Sequence, residues 1–184
     1  MTGRGQFVSV WRGPLIVAAV ITAAAHVPVT GDHLGEAPYI GALFVALEVV
    51  STVVALALLW HDSRGISAVA AVVGALAIVA YVVSRSAGLP QIEDDIGNWA
   101  EPLGVVSMTA EAAMVVFGAA SLSRAGAAAV RRPVAVAGSL ALLIGGLAAI
   151  RVAAAAESET GDGPMATSVT MALESPPVLP SIGR

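Results

Sequence analysis

Five apolar runs of membrane-spanning length constrain this 184-residue chain more than any other feature in it. They cover residues 11–29, 38–60, 66–86, 102–123 and 132–155. A helix of about 20 apolar residues crosses the hydrocarbon layer, whereas a barrel strand needs only about 10. Inside lipid the backbone must satisfy itself, which leaves the helix as the solution for runs this long. The sequence therefore predicts an all-α integral membrane protein with five transmembrane helices. Its charge content agrees: 12% of residues are charged, against about 25% in a typical soluble domain.

Arginine placement orients the spans. Arg4, Arg12, Arg64, Arg124, Arg131 and Arg132 fall on one side of the predicted membrane. Arg85, Arg151 and Arg184 fall on the other, together with ten acids between Asp32 and Glu174. Basic residues stay cytoplasmic, so the N-terminus is expected inside and the C-terminus outside, in the cell membrane. The first span carries Arg4, Arg12 and alanines 23–25 in the style of a secretory leader. Its apolar character continues through His26, Val27, Pro28 and Val29, which favours a retained span. Residues 1–156 then form the bundle, and 157–184 a polar extracytoplasmic tail rich in Pro and Gly. Within that tail, ATSVTMAL (Ala166 to Leu173) could lie along a partner or the outer loops.

The chain also resembles itself. PVTGDHLG (Pro28 to Gly35) aligns with PQIEDDIG (Pro90 to Gly97), and Gly41/Glu48 matches Gly104/Glu111 at an offset of 63. Spans 1–2 and 3–4 thus read as a tandem-duplicated helical hairpin, with span 5 added. Pro38 and Pro102 fit the first turns of spans 2 and 4, where a missing N–H costs nothing.

Glu48 and Glu111 are the residues most in need of a cause. A charge near the bilayer centre costs on the order of 3 kcal/mol on insertion scales. The two acids sit at matching depth on faces of small and polar residues, with Ser51 and Thr52 beside Glu48, and Ser107 and Met108 beside Glu111. One expectation is an intramembrane acidic pair that binds a proton, cation or metal, with Arg85, Tyr81, Ser51 and Ser107 supplying counter-charge or tuning. The plain alternative is a pair of carboxyls that fix helix register. His26, His33 and Glu36 offer nitrogen and oxygen donors that suit zinc or copper. Their H-x6-H-x2-E spacing is no metal signature, and interfacial histidines are the plainer reading.

Other chemistry is excluded or unsupported. The chain has no cysteine, so disulfides, thiolate metal sites and c-type haem attachment are ruled out. His61 lies a membrane thickness from His26, which argues against haem held within one chain. No basic tract points to nucleic acid. No hydrolase triad, HExxH or phosphate loop is present, so no enzyme is expected. Trp11, Trp60 and Trp99 sit at predicted interfaces as belt anchors. Small residues recur every four positions in span 5, at Ala137, Ala141, Gly145, Ala149 and Ala153. They suggest a close-packing seam for another helix, within the chain or in a partner subunit.

Two segments, HLGEAPYIG (His33 to Gly41) and SRSAGLP (Ser84 to Pro90) with Glu101, Pro102, Gly104 and Glu111 beyond it, carry a resemblance. They resemble motifs of small multi-pass membrane proteins from high-GC actinobacteria. An all-arginine set of basic residues fits such a source. The resemblance covers spans 1 to 4 and implies a helical membrane protein, without assigning a role to any residue. Small size, the span 5 seam and the lack of a catalytic set point to a non-catalytic accessory subunit. Ion, proton or metal binding or transport through Glu48 and Glu111 is the alternative.

Overall fold

A computed structural model describes residues 9–123 and 132–161. The described residues form five α-helices and no strand: α1 (Arg12–Glu36), α2 (Pro38–Trp60), α3 (Arg64–Ser86), α4 (Pro102–Leu122) and α5 (Arg132–Gly161). The first four are long and apolar enough to cross a membrane. In α5 the described apolar stretch, Leu143–Ala155, is shorter. Large apolar side chains stand on the outside of the bundle, Val53 and Val79 among them. In water that would be a liability, whereas lipid tails cover it without cost. The chain is a membrane-embedded helical protein.

Local chemistry sets the helix limits. Pro38 and Pro102 open α2 and α4 in their first turns, as the sequence predicts. Ser63 caps α3, its hydroxyl accepting from the Gly65 N–H. Arg12 donates to the carbonyls of Leu58 and Leu59, which the end of α2 leaves without intrahelical donors.

One boundary departs from expectation. Residues 30–37 were read as a connection, yet α1 runs through Pro28 to Glu36. Pro28 removes one rung of the ladder, the donor to the Ala24 carbonyl, while the turns beyond it keep the helix and gain side-chain bonds to their carbonyls. The Thr30 hydroxyl donates to the His26 carbonyl, His33 Nδ1 bonds the Val29 carbonyl, and the Ala37 N–H reaches His33. A single buried residue, Ala37, then turns the chain into α2. Helix α5 likewise continues to Gly161, beyond the expected span end near 155. The tail beyond 161, the 124–131 connection and Arg4 lie outside the described residues.

Helix α1 is the hub of the bundle. It packs on α2, α4 and α5 and touches α3, while α3 packs mainly on α4. Leu15, Ala18 and Ala19 of α1 join Val54, Ala55 and Leu58 of α2 with Ala70 and Met114 in one core cluster. Helices α3 and α4 approach to backbone contact at two glycines. A methyl group added at Gly74 would fall 2.6 Å from the Glu111 carbonyl oxygen, and one at Gly118 would fall 2.7 Å from the Ser67 carbonyl oxygen. By contrast α2 and α3 meet over little of their length, although they are consecutive. The segment between α3 and α4 holds one 3-10 turn, Glu93–Asp95, and folds back so that the Gly97 N–H bonds the Arg85 carbonyl.

The span 5 seam is placed differently from the small-residue stripe. Ile150 and Ala153 are buried with Leu143 and Ala154 against α1 and α4, and Gly146 abuts Ile21. Gly145 has nothing within 4 Å of an added methyl group, and Ala149 is exposed. Spacing of three and four residues selects the 143–146–150–153 face, and only Ala153 of the predicted stripe shares it. The side chains of Ala137 and Ala141 lie outside the described set.

Candidate functional site

A polar stripe on α1 organises the interior. Thr22, His26, Thr30 and His33 follow one another at four, four and three residues, which places them on one helix face. Thr22, His26 and Thr30 are buried and His33 is half-buried. The stripe meets both intramembrane glutamates. His26 Nε2 lies 3.8 Å from Glu111 Oε1, with Glu111 only 2% exposed. Thr30 Oγ1 lies 2.6 Å from Glu48 Oε1. One helix turn separates these two contacts, and Glu48 is within electrostatic reach of His26.

Proton positions follow from the partners. His26 Nδ1 is 2.8 Å from the Thr22 carbonyl, which can only accept, so Nδ1 carries a hydrogen. Nε2 is therefore the nitrogen that gains or loses a proton, and it faces Glu111. A gap of 3.8 Å is too long for a direct hydrogen bond and is spanned when one further atom bridges it. Thr30 has a single hydroxyl proton for two acceptors, Glu48 Oε1 at 2.6 Å and the His26 carbonyl at 2.9 Å. When that proton goes to the carbonyl, the Glu48 contact needs a proton of its own.

Magnitudes favour charge balance within the site. One hydrogen bond inside a membrane protein contributes about 0.6 kcal/mol on average, against roughly 3 kcal/mol for an unbalanced charge at this depth. A charge on Glu48, Glu111 or His26 is therefore costly unless a neighbour of opposite charge offsets it.

Arg85 is not part of this balance. It was expected to reach inward to Glu48 or Glu111. Instead it pairs with Asp95 and Glu101 at the end of the bundle and stacks over Tyr81, 5.0 Å from the ring centroid. Asp95 and Glu101 both lie in or beside the segment that follows Arg85, and the arginine they meet is only 6% exposed. The Tyr81 hydroxyl donates to the Trp99 carbonyl, and its ring lies against Gly104. Arg85 and Tyr81 thus hold the 87–101 segment over the bundle.

The remaining candidates divide. Ser107 is buried and donates to the Gly104 carbonyl, one turn from Glu111. Ser51 is fully buried, and its hydroxyl has no hydrogen-bond partner among the described residues. Glu36 is exposed at the end of α1. His26 and His33 both set their rings edge-on to Phe44 with centroids 4.9 Å away, and each commits Nδ1 to its own helix. Among the described residues, no three His, Asp or Glu side chains form a metal-binding group. Met114 packs in the core, where the Thr22 hydroxyl meets its sulfur at 3.4 Å.

His26 and Glu111 border a cavity of about 340 Å³ between α1, α2, α3 and α4. Its walls are mainly apolar, from residues such as Phe44, Leu47, Leu76 and Leu103. Polar groups enter at Ser107, Glu111, His26 and His33, and near the 87–101 segment at Asp95 and Glu101. Thr22, Thr30 and Phe44 were not singled out from sequence, although the 22–26–30–33 spacing was a signal that could have found the two threonines. No protein-family profile, curated protein or solved structure matches the chain.

Proposed function

We propose that this chain is a non-catalytic binding protein of the cell membrane whose site is the His26–Glu111 pair, with Glu48 and Thr30 beside it. The observation that carries this is a buried imidazole nitrogen facing a buried carboxyl across 3.8 Å in a cavity wall. Apolar walls with a few converging polar groups are the usual character of a ligand site, and this volume falls in the usual range of roughly 300–1,000 Å³. The pair holds an exchangeable proton, which keeps the site neutral while a ligand comes or goes. Glu48 of α2 and His33 of α1 are the other titratable groups facing it; Asp95 and Glu101, held by Arg85, lie farther along the cavity.

Infrared difference spectra of the protein in lipid, recorded across a pH step, test this. A carboxylic C=O band should change reversibly, vanish in Glu111→Gln and shift in His26→Gln. A band unaffected by both substitutions would remove Glu111 and His26 from the site.

Around this site the chain makes five spans, with a retained first helix, the N-terminus inside, and a hairpin duplicated in α1–α2 and α3–α4. The absence of cysteine makes each introduced thiol the only one in the chain. In intact cells an impermeant maleimide should modify Asn98→Cys and Ser168→Cys and spare His61→Cys. Modification of His61→Cys together with protection of Ser168→Cys would overturn the five-span arrangement.

A second reading, an accessory subunit of a larger assembly, draws on the open Gly145–Ala149 face of α5. It expects recovery with a partner protein from native membranes, and solitary recovery counts against it.

A further inference from the structure

Titratable side chains are distributed unevenly along the four membrane-length helices. Helix α1 has none between Arg12 and His26, α2 none after Glu48, α3 none between Arg64 and Tyr81, and α4 none after Glu111. His26 lies ten residues before the end of α1, Glu48 ten residues into α2 and Glu111 nine into α4. At 1.5 Å per residue, all three sit about 14–15 Å from the end that carries the 87–101 segment, near mid-membrane. From there to the opposite end the interior holds nothing that titrates.

The cavity occupies the titratable half. It runs from Ile92, Asp95 and Glu101 beside the 87–101 segment down to His26 and Glu111. Asp95 and Glu101 are only partly buried, so the lining reaches water there. Its other rim, Leu43 and Leu76, is exposed on the outside of the bundle, where lipid supplies no protons. Glu48 of α2, His33 of α1, Tyr81 of α3 and the acids that Arg85 holds face the pair from this half, while Arg151 of α5 is exposed.

Beyond the pair the polar groups stop. The Thr22 hydroxyl ends on the Met114 sulfur, and the Ser51 hydroxyl has no partner among the described residues. Leu15, Ala19, Leu58 and Ala70, all fully buried, close the core below them. The buried Ser67 is three residues from the start of α3, and Thr22 ten from the start of α1. Roughly 10 Å of apolar packing therefore separates the two hydroxyls. A proton in that stretch has no acceptor within hydrogen-bond reach and bears the cost of a charge in hydrocarbon.

We infer that the His26–Glu111 pair exchanges its proton only with the water at the 87–101 end of the bundle, so that it reads the pH of that compartment and passes no proton across the membrane. This rests on the pair holding an exchangeable proton.

The test uses the full chain in lipid vesicles, with Asn98→Cys or His61→Cys biotinylated by an impermeant maleimide. Capture on a streptavidin-coated infrared crystal selects which end of the protein faces the flow. After a pH step in the flow, the carboxyl band that Glu111→Gln removes should change at once in vesicles captured through position 98. In vesicles captured through position 61 it should lag roughly 100-fold, the factor set by a charge crossing apolar core, until a protonophore is added. A pH dye in the lumen times the leak of the same vesicles. Proton uptake driven by a potassium–valinomycin potential should match that of protein-free vesicles. Equally fast responses in the two orientations, a faster one through position 61, or uptake above the protein-free rate would reject one-sided access while the pair stands. A band that stays fixed even with protonophore would reject the exchangeable proton itself, and the inference with it.

Discussion

Replacing Arg85 with Met should lower the unfolding free energy of the purified protein in detergent by about 2–3 kcal/mol. Breaking a buried ion pair by removing one partner typically costs about 3–5 kcal/mol, because the other charge is left uncompensated. Here Asp95 and Glu101 keep 26% and 23% side-chain exposure, so water returns part of that cost. The guanidinium itself is buried, spans two carboxylates and lies over Tyr81, a combination lysine cannot reproduce. Arg85→Lys should therefore recover less than half of the loss. Adding Asp95→Asn and Glu101→Gln to Arg85→Met should recover more, since no charge then remains unpaired. A loss below about 0.5 kcal/mol would place Arg85 among surface ion pairs of little weight. The 87–101 segment would then be held by other contacts.

The second large effect is steric. Gly74→Leu should cost about 2–3 kcal/mol, at the upper end of the usual range for overpacking. Its first side-chain carbon would lie 2.6 Å from the Glu111 carbonyl oxygen and 3.0 Å from Met114 Cβ, neither of which can swing aside. Helices α3 and α4 would have to separate, carrying Glu111 away from His26. Gly145→Leu is the matched control. It adds the same side chain on α5 where nothing lies within 4 Å, and should change stability by less than about 0.5 kcal/mol. Equal losses at the two positions would mean that the α3–α4 contact does not set the cost, since helix propensity alone favours Leu over Gly at both. Denaturant titration of the two variants side by side decides it.

What the sequence disclosed and what it hid have separate physical causes. Lengths of apolar runs and prolines at first turns act locally, so the limits of α2 and the start of α4 were readable to the residue. The end of α1 was hidden because Thr30, Gly31, Asp32 and Gly35 compose like a turn. Side-chain bonds from Thr30 and His33 to the preceding carbonyls carry the helix across them. The depth of Glu48 and Glu111 could be counted along their helices. Their partners could not, because these depend on how α1 is rotated between α2 and α4. The acids were read as a matched pair with Arg85 as a possible counter-charge. Each meets the polar stripe of α1, whose spacing was present in the sequence and went unused. On α5, small residues permit close approach but do not choose the face that packs inside the chain, and Leu143, Ile150 and Ala153 do so here.

The account turns on one contact, and the chain has only three histidines in which to look for it. Solid-state NMR of the ¹⁵N-histidine-labelled protein in lipid reads both ring nitrogens of each. The His26 Nδ1 signal should be that of a protonated nitrogen bonded to a carbonyl. Its Nε2 signal should move on Glu111→Gln, while those of His33 and His61 stay in place. An Nε2 signal of His26 that does not respond to Glu111→Gln would contradict the pairing and, with it, the site.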